Sequence, residues 1–362
     1  MAFVSVPFRL AVAGGKGGVG KTTVAANIGA YVADSGVEVL FVDADVDNPN
    51  AHMNLGLEVA KLKDITLFAP VIDASKCSRC GACAQSCPEH ALLAAPGREP
   101  VFFEERCSGC RICRLVCKEG AILEGKKILG HIFSARGGHL QLFGAELKPG
   151  EARSPLVVGA LMDFVREEAE NSNYDIVIVD CPPGAGNTVL RAIREADLVL
   201  LVTEPTPFGL STLKIALELV DKLGLKAGVV VNRADISDQG LTAIRELAAE
   251  EGLEILAEIP FDEEAVRASV EGVPLVRASP SSRAGRAMRQ LAEGVLGLAR
   301  NITRERRKKD PQALPPRQPR QPRRGILSAA GGCVPRGWSV RQISPQSSSS
   351  AWPRSGTERP RA

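Results

Sequence analysis

The sequence predicts an α/β fold, a mostly parallel sheet with helices on both faces, into which a small α+β module is inserted. Three observations carry this. Apolar strand-like runs alternate with helical stretches, and a glycine-rich loop joins the first strand to the first helix. Eight of the ten cysteines also fall in two copies of one short-spaced run between residues 77 and 117.

Taken in order, an apolar strand over residues 9–13 leads through the glycine loop into a helix over 22–34 and a second strand over 37–42. Residues 60–130 differ in character, being dense in Cys and short turns. The alternation resumes with a helix over 156–170, strands over 175–180 and 198–203, a helix over 210–223, a strand over 227–231, a helix over 241–251, a strand over 254–259 and a last helix over 283–302. Near-continuous Val/Ile/Leu strands separated by helices are buried on both faces, which implies parallel pairing. Two apolar runs around Gly137-Gly138, over residues 128–147, read as a hairpin returning the insert to the core. The expected organisation is therefore residues 1–59 and 131–302 as the two parts of one large domain, 60–130 as the insert, and 303–362 as a tail.

The tail contains RERRKKD, PPRQPRQPRR and SSSS, takes nine of the 24 prolines and holds both tryptophans, a composition too poor in buriable surface to order itself. It also holds fourteen of the 45 Lys+Arg against three of the 42 Asp+Glu, so the formal charge of +3 hides a net negative body of 31 basic and 39 acidic residues. A nucleic-acid-binding reading would rest on the tail alone. No run reaches the roughly 18 apolar residues of a membrane span, and the first residues carry no basic n-region or cleavage site, so a cytoplasmic protein is expected.

Residues 15–22, GKGGVGKT, match G-x-x-x-x-G-K-[ST] between a predicted strand and a predicted helix, the context this phosphate-binding motif requires. Backbone N–H groups of Gly15, Gly17, Gly18, Val19 and Gly20 and the first helical turn point at phosphate oxygens, and the helix dipole adds attraction. Lys21 is expected at the β- and γ-phosphates and Thr22 on Mg²⁺, with Thr23 next in the first turn.

The two cysteine runs are Cys77-x2-Cys80-x2-Cys83-x3-Cys87-Pro88 and Cys107-x2-Cys110-x2-Cys113-x3-Cys117, the spacing used by bacterial-type ferredoxins. Three close cysteines converge on one cubane while the fourth reaches the other cluster. Cys77, Cys80, Cys83 and Cys117 are thus expected on one [4Fe–4S] cluster, and Cys107, Cys110, Cys113 and Cys87 on a second. Zinc also takes four thiolates but has no use for a three-step run followed by C-x3-C. Lys118 stands where the second run would carry proline. Of the remaining cysteines, Cys181 is a candidate redox-sensitive thiol or a plain buried one, and Cys333 lies in the tail.

KGGVGKTT, with its second lysine Lys16, resembles the deviant Walker A signature of the MinD/ParA/Mrp/nitrogenase-iron-protein P-loop ATPases. VDADVDNPN over 42–50 resembles the family's switch I, DCPPG over 180–184 its Walker B and switch II segment, and VVVNR over 229–233 its adenine-contacting segment. The resemblance implies ATP and Mg²⁺ as cofactors and an ATP-dependent homodimer in which Lys16 contacts the nucleotide of the other subunit. It places Asp45 and Asp180 around the attacking water and Mg²⁺, with Asp43 supporting them. Gly184 falls at the γ-phosphate, and Asn232, Arg233 and Pro260 fall near the base. With the cysteine module, the chain resembles MinD-superfamily ATPases that carry an inserted ferredoxin domain.

That combination leads us to expect ATP-driven switching coupled to electron transfer by the clusters. A carrier or scaffold for iron–sulfur or metallocofactor assembly serving a client protein is the alternative, and a membrane-positioning ATPase anchored by its last helix is the third reading. For the last helix, Ala284, Ala287, Met288, Leu291, Val295, Leu298 and Ile302 form a helical stripe that either packs on the sheet or meets lipid.

Overall fold

The structure, a computed structural model, describes residues 6–309. Its frame is a nine-stranded sheet in the order β11-β10-β9-β1-β8-β2-β7-β6-β3. The strands are β1 (Phe8–Ala13), β2 (Val39–Asp43), β3 (Ala60–Ile72), β6 (Ile122–Gly137), β7 (Leu140–Leu147), β8 (Ile176–Asp180), β9 (Leu198–Thr203), β10 (Ala227–Asn232) and β11 (Ile255–Ile259). Pairing is parallel from β11 through β7. The last two pairs, β7 with β6 and β6 with β3, are antiparallel.

Alternation along β1 shows how the sheet is covered. Phe8, Leu10 and Val12 enter one apolar core with Val24 and Ile28 of α1 (Lys21–Asp34) and with Met288, Leu291 and Val295 of α11 (Arg283–Lys309). Ala11 and Ala13 face the other core, beneath Leu161 of α5 (Ser154–Asn171), Val189 of α6 (Asn187–Ile193), Leu213 of α7 (Pro207–Lys222) and Ile244 of α8 (Asp238–Glu250). On α11, Ala284, Met288, Leu291 and Val295 are buried and Ala287, Leu298 and Ile302 pack against the same core. The sheet, not lipid, is the partner of that stripe. No helix among the described residues is long and apolar enough to cross a membrane.

Two features go beyond the sequence reading. Residues 303–309, expected in the unstructured tail, continue α11. Arg306 holds this turn by bonding Asp197 and the Pro7 carbonyl. The rest of the tail, with Cys333, lies outside the described residues. In addition, the expected edges of the insert at 60 and 130 fall at the first residue of β3 and inside β6, which form a long ribbon paired from Ala60↔Ser134 to Ile72↔Ile122. Beyond this ribbon, residues 73–121 form the cysteine-rich lobe with two short helices, α3 (Ala82–Gln85) and α4 (Ile112–Val116), and the small strand pair β4 (Leu92–Leu93) and β5 (Val101–Phe102). Its buried residues are few, Cys83, Ala91, Leu92, Pro100, Cys113 and Ala121, and Phe68 and Ile122 of the ribbon join Cys83, Leu92 and Cys113 in one small cluster.

A candidate nucleotide site and two four-cysteine sites

The strands β1, β2, β8, β9 and β10 all end at one edge of the sheet, where open parallel sheets bind ligands. The loop after β1 wraps this edge. Gly18 and Gly20 have positive φ (78° and 93°), and a Cβ on Gly20 would stand 2.4 Å from Asn232 Nδ2. Around Gly17 and Gly18 a Cβ would meet nothing within 4 Å, so this part of the loop is an open cradle of backbone N–H groups. The Lys21 side chain is buried, and its ammonium donates to the Lys16 carbonyl at 3.1 Å.

Three carboxylates close the site. Asp43 and Asp180 lie opposite each other in the β2–β8 register and are both fully buried. Asp43 accepts from the Ala51 N–H at 2.9 Å and the Asp45 N–H at 3.2 Å. Neither oxygen of Asp180 has a hydrogen-bond partner. Burial pushes the Asp43 carboxyl up to about 7. Burial, reinforced by the charge of Asp43, drives Asp180 well above the ordinary carboxylate range, while neighbouring Thr22 and Lys21 pull the other way. Asp45, raised by burial, is opposed chiefly by Lys21. An orphaned buried carboxylate beside a threonine and a lysine is the donor set a hard cation with a phosphate ligand satisfies, so the residues fit Mg²⁺ and a nucleotide. Gly184, at φ 96°, donates to the Gly14 carbonyl at 3.3 Å and so lies against the same loop.

Beside Gly20 and Thr23 opens a cavity lined by Asn232, Arg233, Pro260, Phe261, Val266 and Met288. Asn232 donates to the Val19 carbonyl at 2.9 Å, tying β10 to the loop. Sequence reasoning missed Phe261, Val266 and Met288. It also missed Glu204, which pairs with Lys16 and with Arg233 at 3.0 Å, and Phe208, whose ring lies 5.1 Å from the Lys16 ammonium. The available signal was the segment TEPTPFG at the end of β9, on the same edge as the other loops. Cys181 is buried and its thiol is pushed far up by burial, so it is not poised as a reactive thiolate.

In the cysteine-rich lobe, one cavity is lined by Cys77, Cys80, Cys83 and Cys117. A second is lined by Cys87, Cys107, Cys110 and Cys113. The spacing groups the cysteines in the same two sets. Each set takes three members from one run and the fourth from the other. The two loops repeat each other in conformation: Arg79 and Gly109 precede the second cysteine of each run with φ 58° and 71°, and Gly81 and Arg111 follow it with φ 74° and 64°. A left-handed arginine costs about 1 kcal/mol, so the loop geometry overrides residue preference twice. Backbone N–H groups of Ala91 and Ala121 donate to Cys87 and Cys117 Sγ, each at 3.3 Å. All nine cysteines of the described residues are free.

Burial raises the Cys83 thiol and lifts Cys113 to about 11, so without positive charge nearby the buried sulfurs stay protonated. Among the described residues no three or more His, Cys, Asp or Glu close on a single metal ion. A tetrahedral zinc would require four sulfurs about 2.3 Å from one point. The four cysteines of each set line one cavity, a donor set that suits a thiolate-held iron–sulfur cluster.

The family model for the CobQ/CobB/MinD/ParA nucleotide binding domain matches residues 10–275. An uncharacterized protein of Methanocaldococcus jannaschii is 34% identical over 230 residues, covering 63% of this chain and 81% of its own length. An iron–sulfur cluster carrier protein of Pyrococcus horikoshii is 25% identical over 309 residues, covering 82% and 88%. Among solved structures, the septum site-determining protein MinD of Pyrococcus horikoshii, complexed with Mg-ADP, superposes with a TM-score of 0.54 at 20% identity over 82% of this chain and 98% of that one. The cell division ATPase MinD of Pyrococcus furiosus superposes at 0.52 with 22% identity, over 80% and 99%. With a phosphate-binding loop, a mostly parallel sheet and a family model spanning most of its length, the chain belongs to the CobQ/CobB/MinD/ParA nucleotide-binding family, as a P-loop protein of the MinD superfamily.

Proposed function

We propose that the chain is an ATP-hydrolysing iron–sulfur protein in which nucleotide-driven dimer switching controls electron transfer through two [4Fe–4S] clusters. The observation that carries this reading is the pairing of two four-cysteine cavities with a phosphate-binding edge on one continuous sheet. In the nucleotide half, Gly15, Gly17, Gly18, Val19 and Gly20 cradle phosphates. Lys21 meets the β- and γ-oxygens, and Thr22 with Asp180 positions Mg²⁺. Asp45 orients the attacking water, Asp43 holds the loop that carries Asp45, and Gly184 reads the γ-phosphate. Thr23, Asn232, Arg233 and Pro260 border the base. Catalysis of this kind needs positioning and charge rather than a covalent intermediate. Lys16 leaves Glu204 to reach across a homodimer to the partner's nucleotide.

In the other half, Cys77, Cys80, Cys83 and Cys117 hold one cluster and Cys107, Cys110, Cys113 and Cys87 the other. The clusters supply one-electron chemistry when bound. Four protein sulfurs per site and N–H bonds to Cys87 and Cys117 favour retention of the clusters over release. Several relatives are named iron–sulfur cluster carrier proteins, which favours a second reading in which the chain delivers clusters to a client.

Anaerobic reconstitution followed by MgATP addition in the presence of an apo-acceptor separates the two. The relay reading expects about eight iron atoms per chain before and after ATP, with ATP-dependent electron exchange with a reductant. Stoichiometric loss of iron to the acceptor would establish the carrier instead.

A further inference from the structure

The phosphate-binding edge and the second four-cysteine site are joined by a short polar path that the chemistry at either end does not need. It begins in the loop after β2, where Asp47, two residues beyond Asp45, accepts from the Ser154 hydroxyl at 2.7 Å. Ser154 opens α5. The residue before it, Arg153, donates to the Glu151 carboxylate at 3.0 Å and to the Glu105 carbonyl at 2.8 Å. Glu151 also pairs with Lys127 of β6 at 2.8 Å, with both side chains 7% exposed. Lys127 in turn donates to the Glu104 carbonyl at 3.2 Å. Glu104 and Glu105 belong to the single 3₁₀ turn Glu104–Arg106 that ends on Cys107, the first cysteine of the second run.

One buried cation, Lys127, and one partly exposed cation, Arg153, thus grip two successive carbonyls of the turn that carries Cys107, and one carboxylate holds both cations. Burying the Lys127–Glu151 pair costs more than an apolar joint of the same volume would, so tethering alone does not account for it. What the arrangement adds is direction: the backbone of one turn is fixed relative to a residue that rides on the nucleotide loop. The backbone runs alongside, since Leu147 at the end of β7 donates to the Val46 carbonyl at 2.9 Å and Lys148 to Leu129 of β6 at 2.8 Å.

We propose that Arg153, Glu151 and Lys127 are positioning residues that couple the nucleotide loop, through Asp47 and Ser154, to the cysteine site of Cys87, Cys107, Cys110 and Cys113. The inference rests on the reading of that site as a cluster site and of the loop as a nucleotide switch. Movement of Asp47 on nucleotide binding shifts the start of α5, and the shift reaches the Cys107 turn as a displacement of Arg153 and Glu151. Coupling of this kind is reciprocal, so cluster occupancy changes nucleotide affinity by the same factor that nucleotide changes cluster affinity.

The test uses the full chain, cluster-free and anaerobically reconstituted, and measures the dissociation constant of MgADP for each by calorimetry. For the unaltered protein the two constants are expected to differ by about fivefold or more. Ser154→Ala, which cuts the path at its exposed end, and Glu151→Gln, which cuts it at its centre, are expected to bring the ratio close to one while iron content and nucleotide binding persist. Hydrogen exchange of the amides of residues 104–107 gives a second readout. MgADP is expected to change their protection in the reconstituted protein and to leave it unchanged in Ser154→Ala. A ratio of one in the unaltered protein, or an unchanged ratio and exchange pattern in Ser154→Ala, overturns the coupling. Failure of the unaltered chain to take up iron and sulfide, or to bind MgADP at all, overturns the proposed function and the coupling with it, and is read from the same preparation before any variant is compared.

Discussion

Asp180 concentrates the cost of the nucleotide site in one side chain. A buried carboxylate with no donor on either oxygen destabilises the nucleotide-free chain, and the raised pKa values of Asp180 and Asp43 express the same strain. For a carboxyl whose folded value lies above its unfolded one, the folded state binds the extra proton. Stability is therefore highest below the unfolded value of about 3.9 and falls as pH rises toward the folded value, about 7 for Asp43. Asp180→Asn is expected to stabilise the nucleotide-free protein by about 1–3 kcal/mol at neutral pH, to flatten this decline, and to abolish the rise in Tm that MgATP gives the unaltered chain. Thermal unfolding between pH 5 and pH 8, with and without MgATP, checks all three; a lower Tm for Asp180→Asn without nucleotide would contradict the account. At this scale much was legible, because glycine, lysine and cysteine motifs work through fixed spacings along the chain. Glu204 was not, since its role depends on where Lys16 and Arg233 converge, which no local spacing records.

Among the elements, α11 and α9 (Glu263–Glu271) share one anchor. Asp262 accepts from the Glu264 N–H at 3.0 Å, capping α9, and its other oxygen accepts from the Ala284 N–H at 3.0 Å near the start of α11. The Ala284 N–H, followed by that of Glu264, holds the Asp262 carboxyl below its usual range. The stabilisation is present above the unfolded carboxylate value and is lost as pH falls through the lower folded one. Asp262→Ala is expected to cost about 1–2 kcal/mol at pH 7 and much less below pH of about 3, as urea titrations at the two pH values would show; an equal loss at both would exclude a carboxylate cap. Buried strands and the long amphipathic helices were readable because their periodicity reports burial. The ribbon of β3 and β6 was less so: the first residues of β3, Ala60 to Asp64, are all exposed, so no alternation marks them. The short helix α9 carries too few buried positions to set a period, Ala268 alone.

At the scale of the molecule, Lys16 is held by Glu204 within its own chain. On the proposed dimer this contact must open, so Lys16→Ala is expected to leave the monomer folded and to remove ATP-dependent dimerisation. Light scattering with MgATP and a non-hydrolysed analogue measures this, and a variant that still dimerises would remove Lys16 from the interface.

On the proposed cluster reading, the make-up of the cysteine-rich lobe bears on how the protein fares in a cell short of iron. Of its few buried residues two are cysteines of the four-cysteine sites, Cys83 and Cys113, so the lobe has little apolar interior to offset the entropy of ordering residues 73–121. The sheet, by contrast, closes two large cores on its own. If the four-cysteine sites hold clusters as proposed, folding of the lobe gauges metal supply, while the two cores of the sheet draw no residue from it. In cluster-free protein, brief trypsin treatment is expected to cut after Arg79, Arg98, Arg106 or Lys118 while the flanking halves stay associated and retain nucleotide, and reconstitution is expected to suppress those cuts. A chain starved of iron would thus persist as a nucleotide-binding body with a proteolytically marked loop, sorted for repair or removal by the state of 49 residues between two strands.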